Sequence, residues 1–192
     1  MRTFAYCCAS FAEATRRAAG VEPLLSPPLS IATFKPEWLN GEPFTGRPWD
    51  LLYFDLHGQP SETFWRGDGG TIALTADQIR ETYLGGAVVF GTNCYLGDLD
   101  SPMLKALFDA GAKYVIGGEG QNWASVKRAS GATLLGQRFR QILASGASPL
   151  KALALAKLWV RWDLRKHTRK GSAREILADK DTLAFRAYYR EA

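Results

Sequence analysis

Short apolar runs bounded by turn residues alternate along this chain with segments of helical periodicity. The runs cover residues 3–9, 50–56, 87–92, 113–117 and, near the end, 183–188. Each has the length of a strand, and several are apolar enough to be buried on both faces of a sheet. Because strands that alternate with helices form βαβ units, the sequence predicts an α/β fold with a mainly parallel sheet. A chain of 192 residues favours one domain, so we expect it to span 1–192.

Helix signals are clearest in the second half of the chain. Ser101 and Pro102 suit the N-cap and first helical position, and Gly111 suits the left-handed position after the last turn. Ser148 and Pro149 repeat the starting signal, and a further helix is predicted over 132–144. The proline-rich segment 22–49 predicts a long loop with one short strand over 31–34.

The helix that begins at Pro149 carries large apolar residues at spacings of three and four. This spacing predicts that they share one face, with a basic stripe of Lys157, Arg161 and Arg165 beside it. The apolar residues are Leu155, Leu158, Trp159 and Trp162.

Composition excludes several classes of protein. With 46% hydrophobic and 22% charged residues, the chain is neither fibrous nor disordered. It has no apolar run of bilayer length and no convincing signal-peptide core, so we expect no membrane association. Three cysteines, two of them adjacent at Cys7 and Cys8, do not form the framework of a disulfide-stapled domain. A reducing, cytoplasmic setting is expected, with Cys7 and Cys8 packed in or beside the first strand.

Two predicted neighbouring strands end in residues that carry chemistry. The second run ends in His57-Gly58 and the third in Cys94. A cysteine nucleophile needs a base within hydrogen-bond reach, and the carboxyl ends of adjacent parallel strands meet at one edge of a sheet. Gly58 has no Cβ, so its N–H could approach a developing oxyanion closely. We therefore predict a catalytic pair, with the amides of Gly58 and Cys94 as the oxyanion hole.

Either residue alone is more often a packing residue than a catalytic one. The case for a catalytic role is stronger for the two residues together, because the chain has only two histidines. The other, His167, lies in a basic run near the C-terminus. A metal or organic cofactor is not required for this chemistry, and none is predicted.

The motifs that end these strands resemble those of caspase-like cysteine peptidases, and more narrowly CHAT domains. They are the segments 54–58, with His-Gly, and 89–94, with the cysteine. The similarity continues through the helix, Gly-Ala turn and strand of 102–117 and the paired helices from 139 to 153, covering roughly residues 50–162. Two features depart from the family: no Asp lies in the segment 118–123, and the aromatic closing strand is only loosely matched by 185–189.

The resemblance implies a three-layer α-β-α sandwich and hydrolysis of peptide bonds, with Cys94 as nucleophile and His57 as proton donor to the leaving amine. Protein or peptide substrates are implied, together with a regulatory protein encoded separately. Glu119 and Asp98 could each offer a carboxylate to a basic substrate side chain, although solvated loop charge is the commoner role of such residues.

Three other interpretations remain open. The domain could be a catalytically silent scaffold that binds partners through its basic C-terminal face. An amidotransferase-like thiol hydrolase fits poorly, because the segment 91–94 lacks the tight glycine elbow and the histidine lies upstream. The basic run from Lys157 to Arg174, including Lys166, Arg169 and Lys170, could bind nucleic acid, which is less favoured because a helix needs a solvated face.

The pair Gly69-Gly70 and the run 117–120 lack the lysine of a nucleotide-binding loop and are predicted as turns.

Overall fold

Six strands form one sheet in which all neighbours but one pair are parallel. The computed structural model describes residues 1–41, 46–122, 131–167, 179–180 and 182–190, with only the backbone at 165 and 167. The strands are β1 (Thr3–Cys8), β2 (Leu24–Ser26), β3 (Leu51–Asp55), β6 (Val88–Gly91), β7 (Tyr114–Gly118) and β8 (Phe185–Tyr189). Their order in the sheet is β2-β1-β3-β6-β7-β8, and β8 alone runs antiparallel to its neighbour. The predicted α/β class and mainly parallel sheet are confirmed.

Helices cover both faces of this sheet. One face packs against α2 (Ala76–Arg80) and α3 (Pro102–Asp109), and the other against α1 (Ala12–Ala19), α4 (Gly131–Ala144) and α5 (Pro149–His167). The predicted caps are confirmed: Ser101 Oγ accepts the N–H of Leu104 at 3.4 Å, and Gly111 adopts a φ of 92°. Among the described helices, none has the length and apolarity needed to cross a bilayer.

A ring stack fixes the centre of the sheet against its helical cover. Phe90 of β6 stacks on Tyr53 of β3 at 5.5 Å between ring centroids, on Phe139 of α4 at 5.1 Å and on Phe185 of β8 at 5.4 Å. All four rings are fully buried. Because stacked aromatic rings add to the energy of area burial, this cluster holds β3 and β6 side by side under α4.

Two predictions about short elements are wrong. The segment 31–34 forms a turn, and the strand of the proline-rich region is β2. Gly117 and Gly118 belong to β7 and not to a turn: a Cβ on Gly117 would lie 2.7 Å from Leu96 Cγ, so the glycines let a neighbouring loop approach the strand. Sequence reasoning also missed α1, α2 and a hairpin of β4 (Phe64–Arg66) and β5 (Ile72–Thr75). These elements are short, and the buried side of α1 consists of small residues that give no strong apolar period.

The large apolar residues that share one face of α5 do not form its buried side. Leu155, Leu158 and Trp162 are exposed, and Trp159 is half-buried with the Arg138 guanidinium 3.3 Å above its ring. The buried side of α5 consists of Ala152, Leu153, Ala156, Val160 and Leu164. Its alanines let α5 pack closely on α4, a contact for which large residues would be too bulky.

We expect two leucines of α5 to differ sharply in their contribution to stability. Leu153 is 6% exposed and Leu158 is 64% exposed. Leu153→Ala should lower the free energy of unfolding by about 2–5 kcal/mol, because it leaves a cavity in the core, and Leu158→Ala should change it by less than about 0.5 kcal/mol. Denaturant unfolding of both variants measures the difference, and equal losses would contradict the assigned buried face.

Candidate active site

His57 and Cys94 follow the ends of two adjacent parallel strands. β3 and β6 pair with Phe54 opposite Gly91, and the Thr92 N–H extends the ladder by donating to the Phe54 carbonyl at 2.9 Å. Residues paired across these two strands are separated by 37 positions in the sequence. His57 and Cys94 are separated by the same number, so they occupy equivalent positions beyond the two strands. Both residues therefore leave the sheet at its carboxyl edge, from strands that lie next to each other.

The backbone of Gly58 lies directly against Cys94. A Cβ at Gly58 would be 2.4 Å from the Cys94 carbonyl oxygen, so no other residue type fits without moving one of the two loops. Within the described residues, the Gly58 N–H has no hydrogen-bond partner. A backbone donor thus remains available next to the cysteine.

Cys94 lies on a sharp turn that is tied to the next strand of the sheet. Tyr95 has a φ of 61°, which is uncommon for a residue with a side chain. Its N–H donates to the Gly120 carbonyl at 2.6 Å, and the Gly97 N–H donates to the Gly118 carbonyl at 3.0 Å. These bonds hold the backbone in a conformation that costs energy, a feature found at functional sites.

The Cys94 thiol is partly buried and contacts Asn122. The Asn122 N–H donates to Sγ at 3.3 Å, and Sγ lies 3.5 Å from the Asn122 carbonyl oxygen. The buried Asn122 side chain donates in turn to the Asn93 carbonyl at 2.9 Å. Sequence reasoning missed Asn122, because nothing in its local sequence shows that the chain turns back over Cys94 after β7.

The His57 imidazole is oriented by residues that follow the first strand and by residues of the hairpin. Its backbone pairs with Arg66 of β4 through two hydrogen bonds of 2.9 Å. Phe11 packs edge-on against the ring at 5.5 Å, and Asp68 Oδ1 lies 3.9 Å from Nε2. Ser10 fixes that carboxylate by donating its N–H and its hydroxyl, each at 2.7 Å. These residues were also missed, since they become neighbours of His57 only through the pairing of β1 with β3.

A fully buried carboxyl lies just below the site. Asp55, the last residue of β3, accepts hydrogen bonds from Thr92 at 2.6 Å and Thr15 at 2.8 Å. Burial raises the pKa of Asp55 above its usual value, although the two hydroxyls and the nearby His57 oppose the shift. Asp55 thereby links the strand that carries His57 to the one that carries Cys94.

The two carboxylates predicted to contact substrate each have a partner within the chain. Asp98 accepts the Gly120 N–H at 2.8 Å. Glu119 lies 3.5 Å from Arg186 Nε and accepts the Tyr188 hydroxyl at 3.5 Å. Both residues belong to segments that border the Cys94 turn. To bind a substrate side chain, each carboxylate would have to share or exchange its partner within the chain.

The basic residues of α5 are partly engaged inside the chain. Lys157 Nζ donates to the Phe185 carbonyl at 2.5 Å, and Arg161 pairs with Asp179 at 3.2 Å. Burial, assisted by the charges of Arg186 and Arg161, lowers the pKa of Lys157. Lys166 is exposed and stacks over Trp162. The Arg165 and His167 side chains and the residues Arg169, Lys170 and Arg174 lie outside the described part.

The other two cysteines are buried, as predicted, and none of the three forms a disulfide. Burial is the main cause that raises the pKa of Cys8 to about 12 and that of Cys7 further. Within the described residues, one group of three His, Cys, Asp or Glu side chains has the spacing of metal ligands: Cys8, His57 and Asp68.

Comparison with known proteins gives no family for this chain. No model of a protein family matches the sequence. A search of curated proteins likewise finds no match.

Ionisation of Asp55 should give this protein a distinctive dependence of stability on pH. Because the folded state holds this proton more tightly than the unfolded chain, the carboxyl lowers the unfolding free energy as pH rises from about 4 towards its folded pKa. Asp55→Asn does not ionise, so it should become more stable relative to wild type as pH rises above about 4. Urea unfolding across this range measures the trend.

Asp50→Asn is the matched control at the other end of β3. Desolvation is outweighed by hydrogen bonds and charge from Arg2, which lower the pKa of Asp50. The trend should therefore be opposite and lie at lower pH: wild type should gain stability relative to Asp50→Asn as pH rises towards about 4, and the difference should then stay constant. A pH-independent difference for Asp55→Asn would show that Asp55 ionises normally in the folded protein.

Proposed function

We propose that this chain is a cysteine peptidase of the caspase-like, CHAT type, in which His57 and Cys94 form the catalytic dyad. The single observation that carries the proposal is the contact between Gly58 and Cys94 at the ends of β3 and β6. A His-Gly turn against a strand-end cysteine brings a base, a nucleophile and a backbone donor to one edge of a sheet. The three-layer arrangement of helices on a mainly parallel sheet agrees with a caspase-like fold.

The reaction follows from these groups. The Cys94 thiolate attacks the scissile carbonyl carbon, a C–S bond forms, and the carbonyl oxygen becomes an anion held by the amides of Gly58 and Cys94. The His57 imidazolium gives its proton to the amine nitrogen as the C–N bond breaks. Water then attacks the thioester carbonyl while His57 takes its proton; the C–S bond breaks, the acid product leaves, and Cys94 returns to the thiolate.

Neighbouring residues support both members of the dyad. The Asn122 N–H donates to the Cys94 sulfur at 3.3 Å, and an N–H directed at sulfur stabilises negative charge there. The Asp68 carboxylate lies 3.9 Å from His57 Nε2, on the side of the ring that faces the hairpin. Rigid support of this kind preserves the geometry that covalent catalysis requires.

Substrate and setting form part of the same proposal. The substrates are peptides or proteins, and a separately encoded regulatory protein is a further partner. Three cysteines without a disulfide suit a reducing, cytoplasmic compartment. A basic residue before the cleaved bond would meet Glu119, whose bond to Arg186 is partly exposed and therefore exchangeable.

A panel of fluorogenic peptides that differ in the residue before the cleaved bond tests the activity. Cys94→Ala should reduce turnover to the uncatalysed background, and His57→Ala should reduce kcat by about 10²- to 10⁴-fold. Cys7→Ala is the matched control, because Cys7 is fully buried, and it should retain turnover. Turnover retained by Cys94→Ala would rule out the mechanism.

Labelling with an electrophilic peptide probe, followed by mass spectrometry, distinguishes the peptidase from a silent scaffold. In the native protein Cys94 should react first, since its thiol is partly exposed whereas Cys7 and Cys8 are buried and have raised pKa values. Unfolded protein should label at all three. Equal slow labelling of the native thiols, with no turnover on any peptide, would favour the scaffold.

A further inference from the structure

The His57 imidazole lies close to two other side chains that commonly bind metals, Cys8 and Asp68, on the side away from β6. They come from separate segments: Cys8 ends β1, His57 follows β3, and Asp68 lies in the turn of the hairpin. The thiol sulfur, a ring nitrogen and a carboxylate oxygen all lie within 4.8 Å of one another. The convergence is thus a product of the fold, because no two of these residues are close in sequence.

Each of the three side chains is oriented by a second contact. Ser10 donates to both carboxylate oxygens of Asp68 at 2.7 Å, and each of these oxygens retains a lone pair. The Cys8 thiol lies 3.5 Å from the Arg66 carbonyl, and Phe11 packs edge-on against the His57 ring. Outer contacts of this kind fix the direction of ligands in metal sites.

The dimensions fit a small tetrahedral cation. Zn²⁺ binds thiolate at about 2.3 Å and imidazole or carboxylate at about 2.0–2.2 Å, so its ligand atoms lie about 3.3–3.6 Å apart. The Nε2 of His57 and the Oδ1 of Asp68 are 3.9 Å apart, so they need to approach by less than an ångström. Access is from solvent, since the His57 side chain is 52% exposed while Cys8 is buried at the back.

The geometry points to a Zn²⁺ site formed by Cys8, His57 and Asp68, with water in the fourth position. A thiolate and an imidazole exclude Mg²⁺ and Ca²⁺, which select oxygen ligands, and favour Zn²⁺. On binding, the Cys8 thiol gives up its proton to solvent and no electron is transferred. The site differs from the proposed catalytic centre, because its thiolate is Cys8 and not Cys94.

Zinc at this position regulates the peptidase. A metal-bound imidazole cannot take up and release the proton that thioester formation and hydrolysis require, so Zn²⁺ inhibits by withdrawing His57. This consequence rests on the proposed function, whereas metal binding itself does not. Removal of Zn²⁺ by a chelator restores the enzyme without any change in covalent structure.

Metal binding is measured on the full chain in two ways. Titration with Zn²⁺ against a chromogenic chelator gives stoichiometry and affinity, and Co²⁺ substitution gives a thiolate-to-metal charge-transfer band that reports a sulfur ligand. Wild type, Cys7→Ala and Cys94→Ala should each bind one Zn²⁺ per chain and show the band. Cys8→Ala should lose the band and bind Zn²⁺ more than about 100-fold more weakly, since even outer contacts of a metal cost 10- to 100-fold.

Asp68→Asn serves as a second variant, because it keeps the size of the side chain while weakening the ligand. It should retain the Co²⁺ band but bind Zn²⁺ at least about tenfold more weakly. No binding by wild type, a band that persists in Cys8→Ala, or a band lost in Cys94→Ala would each overturn the site. Thermal unfolding confirms that every variant tested is folded.

Peptidase assays with Zn²⁺ separate failure of the site from failure of the proposed function. Zn²⁺ should inhibit wild type and Cys7→Ala, whereas Cys8→Ala should keep its basal activity and need more than about 100-fold more Zn²⁺ for half inhibition. Equal inhibition of Cys8→Ala would place the inhibitory metal on Cys94 and contradict the proposal. If none of these proteins has peptidase activity, the proposed function is wrong. The metal site is then tested by the Co²⁺ band alone, which does not depend on activity.

Discussion

The candidate site depends on the parallel pairing of β3 with β6. Their register sets His57 and Cys94 at equivalent positions beyond the two strands, and a shift of one residue would turn one side chain to the opposite face. Two buried interactions fix this register: the stack of Phe90 on Tyr53, and the hydrogen bond between Thr92 and Asp55. An apolar core and a buried polar link thus act together to align the two loops.

Loops from two further strands complete the surroundings of the dyad. Beyond β1, residues of the first helical turn contact His57 and the carboxylate of Asp68, and beyond β7, Asn122 contacts the sulfur of Cys94. The two side chains therefore have separate supports, on opposite sides of the shared edge. Two glycines allow close backbone contacts that any Cβ would block. Gly58 lies against the backbone of Cys94, and Gly97 lies against the backbone of Gly117.

The central strands, the caps of α3 and the positions of His57 and Cys94 at strand ends could be predicted, because each has a local signal: an apolar run, a Ser-Pro pair or a polar residue after a strand. The buried face of α5 could not, since its packing relies on alanines that carry little hydrophobic signal. The partners of His57 and Cys94 were also beyond prediction. Asp68 and Asn122 approach the site only through a hairpin and a chain reversal that bring distant segments together.

A crystal structure of the protein with a peptide aldehyde bound tests the central claim most directly. An aldehyde forms a reversible hemithioacetal with a reactive thiol, and its oxygen occupies the position of the oxyanion. Our account predicts a bond to Cys94 Sγ, the oxygen within about 2.7–3.1 Å of the Gly58 N–H, and the His57 ring within hydrogen-bond reach. An adduct on another cysteine, or an oxygen directed away from Gly58, would contradict it.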